Sequence, residues 1–228
     1  MKVQKKKRES LNELQDRAKQ IVRQLKKAIP EWQTGLHHGS PFELLIATIL
    51  SAQCTDLRVN LVTEELFKTY RTAEDFARLP QLTLERHIRS TGFYRAKARN
   101  IIKCSKALVT DHNGAVPSSM EALTRLAGVG RKTANVVLGN YFGISEGIVV
   151  DTHVKRISGR LRLTRESTPE KVEQDLMAVI PKNDWIDIGN LFIWHGRRTC
   201  DARKPKCSVC VLYALCPSAR QFTDTSVR

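Results

Sequence analysis

Helix starts recur along this chain so often that little room is left for sheet. Ser40-Pro41-Phe42-Glu43 places a capping hydroxyl before a proline at the first helical position, with a glutamate three residues after the serine. Ser118-Ser119-Met120-Glu121 repeats that capping box, and Thr72-Ala73-Glu74-Asp75 is a weaker version. Thr168-Pro169-Glu170 opens a further helix by cap and proline. Between these points apolar residues fall at helical spacing, as in Leu11, Leu14, Ala18, Ile21, Val22 and Leu25. The segment after Ser40 is apolar on nearly every side (Phe42, Leu44, Leu45, Ile46, Ile49, Leu50), which predicts a helix sunk in the core. The only β-branched run, Ile148-Val149-Val150, is too short to build a sheet. The expected fold is all-α.

Length and charge narrow what such a fold serves. A chain of 228 residues buries a core without cysteine staples, and a hydrophobic fraction of 41% argues against disorder. The longest apolar stretch, Phe42 to Ala52, is interrupted by Glu43 and Thr48 and is too short to cross a bilayer. The N-terminal MKVQKKKRES carries charge with no apolar core behind it and does not read as a secretory signal. A soluble cytoplasmic protein is expected, with no membrane partner. Its 38 lysines and arginines against 23 aspartates and glutamates give a net charge of +15. A surplus of that size suits a polyanion, nucleic acid first, with a merely solvated surface as the plain alternative. The two ends, Lys2, Lys5, Lys6, Lys7 and Arg8 at one and the polar tail after Pro217 at the other, read as poorly ordered. The lysine run adds non-specific phosphate attraction.

Cys200, Cys207, Cys210 and Cys216 follow one another with six, two and five residues between them. Inside a cell such clustering points to metal before disulfides. Zinc sites usually come as two close pairs, whereas here one C-x-x-C pair is flanked by single cysteines. That spacing, and the Cys216-Pro217 step, favour an iron–sulfur cluster over zinc. Cys54 and Cys104 sit in helical apolar patterns and read as buried small hydrophobes. The loop Asp201-Ala202-Arg203-Lys204-Pro205-Lys206 lies between the first two ligands, preceded by Arg197 and Arg198. Pinned at both ends, Arg203, Lys204 and Lys206 would form a rigid phosphate clamp. The same charges could also neutralise an anionic cluster.

Leu126-Ala127-Gly128-Val129-Gly130-Arg131-Lys132-Thr133-Ala134 reads as a helix end, a G-x-G turn and a new helix, together a helix–hairpin–helix over about 119–139. The glycines permit positive φ and close backbone approach, and the free N–H groups of the second helix suit a DNA phosphate. Leu126, Gly128, Val129, Gly130 and Arg131 are the candidate DNA-binding residues. Lys132 sits near the positive end of the helix dipole, a placement that favours a neutral, nucleophilic amine. An ordinary phosphate-binding lysine explains it equally well. Asp151, after an apolar extended run and before a helical pattern, is by default an N-cap, and otherwise a carboxylate able to manage protons.

Together SPFELLIATILSAQCTD, LAGVGRKTANVV, VDTHVKR, WHGRRTC and the C-x6-C-x2-C-x5-C terminus make the chain, from about Pro41 to Cys216, resemble the endonuclease III family. These are bifunctional DNA glycosylase/AP lyases of base excision repair in the helix–hairpin–helix superfamily. The resemblance implies two helical lobes with a DNA-binding cleft. One is a six-helix barrel over 34–145, and the other unites 1–33 with 146–228 and holds one [4Fe-4S] cluster. It implies Lys132 as catalytic nucleophile, Asp151 as catalytic aspartate, and Gln53 as the residue filling the gap left by a flipped base. The implied partner is double-stranded DNA with damaged bases or abasic sites, met by a monomer. The implied reaction removes oxidised pyrimidines and cuts 3′ to the site by β-elimination.

Two positions depart from the family pattern. Ala127 stands where the hairpin usually has proline, so a less rigid turn and lower DNA affinity are expected. Phe93 follows Thr91-Gly92 where the wedge is usually leucine, and an aromatic there could stack on an exposed base and alter lesion range.

Overall fold

Residues 9–32 and 34–223 are described by a computed structural model, and among them every regular element is helical. Two compact units emerge, one spanning Thr34–Glu146 and the other formed by the segments on either side of it. The lysine run at positions 2–8 lies outside the described residues.

The central unit comprises α2 (Pro41–Leu50), α3 (Asp56–Thr69), α4 (Ala73–Arg78), α5 (Gln81–Ile88), α6 (Tyr94–His112), α7 (Met120–Thr124) and α8 (Arg131–Asn140). Two of these helices, α4 and α7, are only six and five residues long. Helix α2 begins where Ser40 Oγ accepts from Glu43 N at 3.1 Å, with Pro41 in its first turn. Every residue from Leu44 to Leu50 is buried, so α2 is the core helix its composition predicts. Each wholly buried leucine or isoleucine there contributes roughly 1.5–3 kcal/mol. Glu43 does not close a capping box, because its carboxylate accepts from Gly39 N at 2.6 Å and braces the preceding turn instead.

The other caps show how side-chain competition moves a helix start by one residue. Ser119, not Ser118, caps α7 through Ala122 N, since Glu121 is drawn aside into an ion pair with Arg125. The weaker-looking Thr72 site is a complete capping box. The Asp75 carboxylate accepts from Arg71 N and Thr72 N, and those two bonds hold it below the usual carboxylate range. Cys104 is wholly buried as expected, but Cys54 is only half-buried, because it lies beyond the end of α2 in the following turn.

The second unit comprises α1 (Leu11–Ala28), α9 (Thr152–Arg160), α10 (Pro169–Val179), α11 (Trp185–Arg198) and α12 (Ala219–Thr223). Ser10 and Glu13 cap α1 reciprocally, and Ala18, Ile21, Val22 and Leu25 are buried. The apolar stripe stops short of its first member, for Leu11 is 57% exposed. Ile148 and Val150 join this core from a segment without regular secondary structure. The tail expected to be loose is partly ordered. Ser218 and Ala219 are buried, and the Arg160 guanidinium lies 4.6 Å from the centre of the Phe222 ring. No described helix is long and apolar enough to cross a membrane.

Candidate active site and cysteine cavity

The turn between α7 and α8 is built from backbone. Leu126 N donates to Leu123 O and Val129 N to Leu126 O, both at 3.1 Å, while Gly128 adopts φ +79°. A Cβ on Gly128 would lie 3.0 Å from Asn100 Cβ, so both conformation and space demand glycine. Gly130 is different, with φ −90° and open space around its Cα. It caps α8 without a side chain, so the first N–H groups of that helix receive no side-chain acceptor from their cap. Leu126 and Val129 turn their side chains into the core, so only their backbone is available to a ligand. Gly128, Gly130, Arg131 and Lys132 are exposed, and an Arg131 Nη donates to Glu146 O at 3.4 Å. Lys132 is the second residue of α8.

Asp151 belongs to the other unit and performs the default task the sequence suggests. Its Oδ1 accepts from Val154 N at 2.8 Å and caps α9. Among the described residues no donor reaches the second carboxylate oxygen. Two arginines one turn apart on α9 reach the cysteine segment, Arg156 at the end of the VDTHVKR motif and Arg160 outside every motif. Arg156 donates to Cys200 O at 3.0 and 3.3 Å and to Gly196 O at 3.2 Å. Arg160 donates to Asp201 O, Ala202 O and Cys200 Sγ at 2.6, 2.7 and 3.2 Å.

Cys200, Cys207, Cys210 and Cys216 line one cavity together with Arg160 and His195. Among the described residues no three His, Cys, Asp or Glu side chains converge as a single metal ion requires. The thiols are instead set around a shared space, the arrangement that a four-iron cubane with separate ligand positions accepts. Burial pushes Cys207, Cys210 and Cys216 upward, and the neighbouring cysteines, once ionised, add to that rise. Arg160 opposes it at Cys207, as do the backbone N–H groups of Leu212 at Cys210 and Ser218 at Cys216. His195 is pushed down to about 4 by burial and stays neutral, its Nε2 lying 3.7 Å from Cys210 Sγ. Arg160 thus donates directly to a cysteine sulfur, while Arg203, Lys204 and Lys206 are exposed to solvent. Their loop is fixed by Asp201 Oδ1, which accepts from Arg203 N and Lys204 N at 2.8 and 3.0 Å. Lys206 N closes it onto Thr199 O at 2.9 Å.

Gln53 and Phe93 stand exposed in two loops of the central unit, and both adopt the left-handed conformation, with φ 54° and 48°. No sequence motif pointed to the residue joining those loops. Lys97 Nζ donates to Leu50 O and to Thr91 O, each at 2.8 Å.

The class follows from what this hairpin fold matches. Residues 46–182 fit the family of HhH-GPD superfamily base excision DNA repair proteins, so the chain is a helix–hairpin–helix repair enzyme. The cysteine segment narrows the choice, since residues 200–216 fit the iron-sulfur binding domain of endonuclease III. Endonuclease III of Synechocystis sp. is 50% identical over 204 residues, which are 90% of this chain and 93% of its own. Endonuclease III of Escherichia coli is 43% identical over 86% of this chain and 93% of its own. A solved structure described as a trapped endonuclease III–DNA covalent intermediate, an estranged-adenine complex, superposes with a TM-score of 0.85. It is 44% identical and covers 91% of this chain and 97% of its own. The chain belongs to the endonuclease III family. It is a base excision repair DNA glycosylase and AP lyase, and its cofactor is a [4Fe-4S] cluster.

Proposed function

We propose that the enzyme removes oxidised pyrimidines from duplex DNA and cuts the strand 3′ to the emptied sugar through a Schiff base on Lys132. The observation that carries this reading is the exposed Lys132 in the first turn of α8, directly behind a glycine turn whose helix N–H groups suit a phosphate. The relative captured as a trapped covalent intermediate with DNA supports it.

A base inside the stack is out of reach, so the nucleotide is first extruded. Gln53 fills the gap, and Phe93 stacks against the bases left exposed. The Lys132 Nζ lone pair attacks the sugar C1′ while the C1′–N bond breaks and the base leaves with a proton. The attached amine then loses a proton, the C1′–O4′ bond breaks with O4′ taking a proton, and the resulting C1′=N iminium acidifies the C2′ hydrogen. Loss of that proton breaks the C3′–O bond, expelling the phosphate of the downstream strand, and water then frees the lysine. Asp151 serves the proton transfers and the cationic sugar through the oxygen its cap leaves open. Arg131, Arg203, Lys204 and Lys206, with the hairpin N–H groups, hold backbone phosphates. Cys200, Cys207, Cys210 and Cys216 are the cluster ligands, and the cluster's contribution when bound is to cross-link the basic loop. The enzyme acts on DNA inside the cell as a monomer, its surplus charge supplying the attraction.

Borohydride reduction on an abasic-site duplex tests the nucleophile. Wild type forms a covalent adduct and Lys132→Ala forms none; an equal adduct from Lys132→Ala refutes the assignment. A lesion panel tests the substrate, and preferential release of oxidised or alkylated purines rejects the pyrimidine reading.

A further inference from the structure

Lys97 is 5% exposed and has no carboxylate partner among the described residues. Burying an ammonium in that way is costly unless its hydrogen bonds are made, and Lys97 makes them to backbone alone. Leu50 O is a terminal carbonyl of α2, with no helical N–H to bind and at the negative end of that helix. Thr91 O is the last carbonyl of the 3-10 turn Arg89–Thr91. Three residues past Leu50 stands Gln53, and two past Thr91 stands Phe93, which is 67% exposed. Residues with side chains hold left-handed φ only where their surroundings over-determine it. Lys97 also holds Phe93 from below, its backbone N donating to Phe93 O at 3.0 Å. Burial draws the Lys97 amine below the ordinary lysine range, with ionised Cys54 acting in the opposite sense.

We propose that Lys97 is a positioning residue that ties the Gln53 and Phe93 loops into one wedge, setting how the two side chains are presented to a damaged duplex. The proposal rests on the reading that both residues enter DNA.

The test compares wild type with Lys97→Met for binding to a duplex carrying a tetrahydrofuran abasic analogue and to its undamaged counterpart. 2-Aminopurine placed opposite the analogue reports unstacking, and amide hydrogen exchange is followed over residues 51–54 and 90–93. Preference for the abasic duplex falls at least about tenfold in Lys97→Met, because both charge-assisted bonds are lost. Affinity for undamaged DNA stays unchanged, the 2-aminopurine signal shrinks, and exchange rises in both loops but not along α2 or α6. Where Lys97→Met does not fold, Lys97→Gln carries the test, since it keeps a donor without the charge and moves the same readouts in the same direction. Unchanged preference and fluorescence in the folded variant overturn the proposal. Equal losses on both duplexes with faster exchange throughout the unit also overturn it, because they mark a merely structural role. A wild type that binds both duplexes equally refutes the DNA-entering reading itself, and this proposal with it.

Discussion

Asp151 caps α9, the proposed mechanism gives the same carboxylate a second task, and substitution separates the two. Asparagine caps a helix about as well as aspartate, and an amide oxygen can still accept from Val154 N. Asp151→Asn is therefore expected to shift stability by less than about 0.5 kcal/mol while slowing strand cleavage by at least about 100-fold. Urea unfolding read beside single-turnover cleavage decides it, and parallel losses in both would reduce Asp151 to a cap. Cys104 invites a second measurement. Its thiol is pushed up to about 12 by burial alone, so it stays protonated and shielded at neutral pH. Alkylation of the folded protein followed by peptide mass spectrometry should label Cys54 and spare Cys104 until denaturant is added. Labelling of Cys104 at the rate of Cys54 would show that the Cys104 thiol is open to solvent.

At the scale of elements, the hairpin distinguishes two glycines that the sequence presents as equals. Gly128 needs its positive φ and has Asn100 against it, whereas Gly130 has an ordinary φ and free space. Gly128→Ala is expected to destabilise by about 1–2 kcal/mol and displace the turn. Gly130→Ala should leave the melting temperature near wild type yet weaken duplex binding, because the added methyl stands where a phosphate approaches the α8 N–H groups. Thermal melts paired with a binding titration check both. A Gly130→Ala protein that binds as tightly as wild type would remove the phosphate from that turn.

Across the whole molecule, the +15 surplus sorts into groups with different work. Arg156 and Arg160 are spent on the cysteine segment, Lys97 on two helix-end carbonyls, and Arg203, Lys204 and Lys206 remain exposed on a loop fixed by Asp201. Of these groups the last is the one that the proposed function sets against DNA phosphates. Replacing all three by alanine should weaken binding to every duplex alike. The slope of log affinity against log salt should shrink by roughly one for each phosphate no longer neutralised. Titrations at several salt concentrations measure it, and an unchanged slope would return those charges to the solvent.

Much of the fold was legible because helix starts are local events. A serine or threonine and the N–H three residues on carry their own signal, so Ser40 and Thr72 could be read directly, and the error at Ser118 was one residue wide. The glycine turn, Lys132 behind it and the spacing of the four cysteines are likewise properties of short stretches. What no short stretch contains is which distant carbonyl a buried cation will meet. Lys97 answers Leu50 across 47 positions, and Arg160 answers Cys200 across 40. Those partners exist only once burial has removed water as the alternative and left each charge to find an oxygen or sulfur within about 3 Å. The sequence by itself determined the helices, the hairpin and the cysteine set. The tertiary structure alone decided which cations brace the site from within and which are left outside.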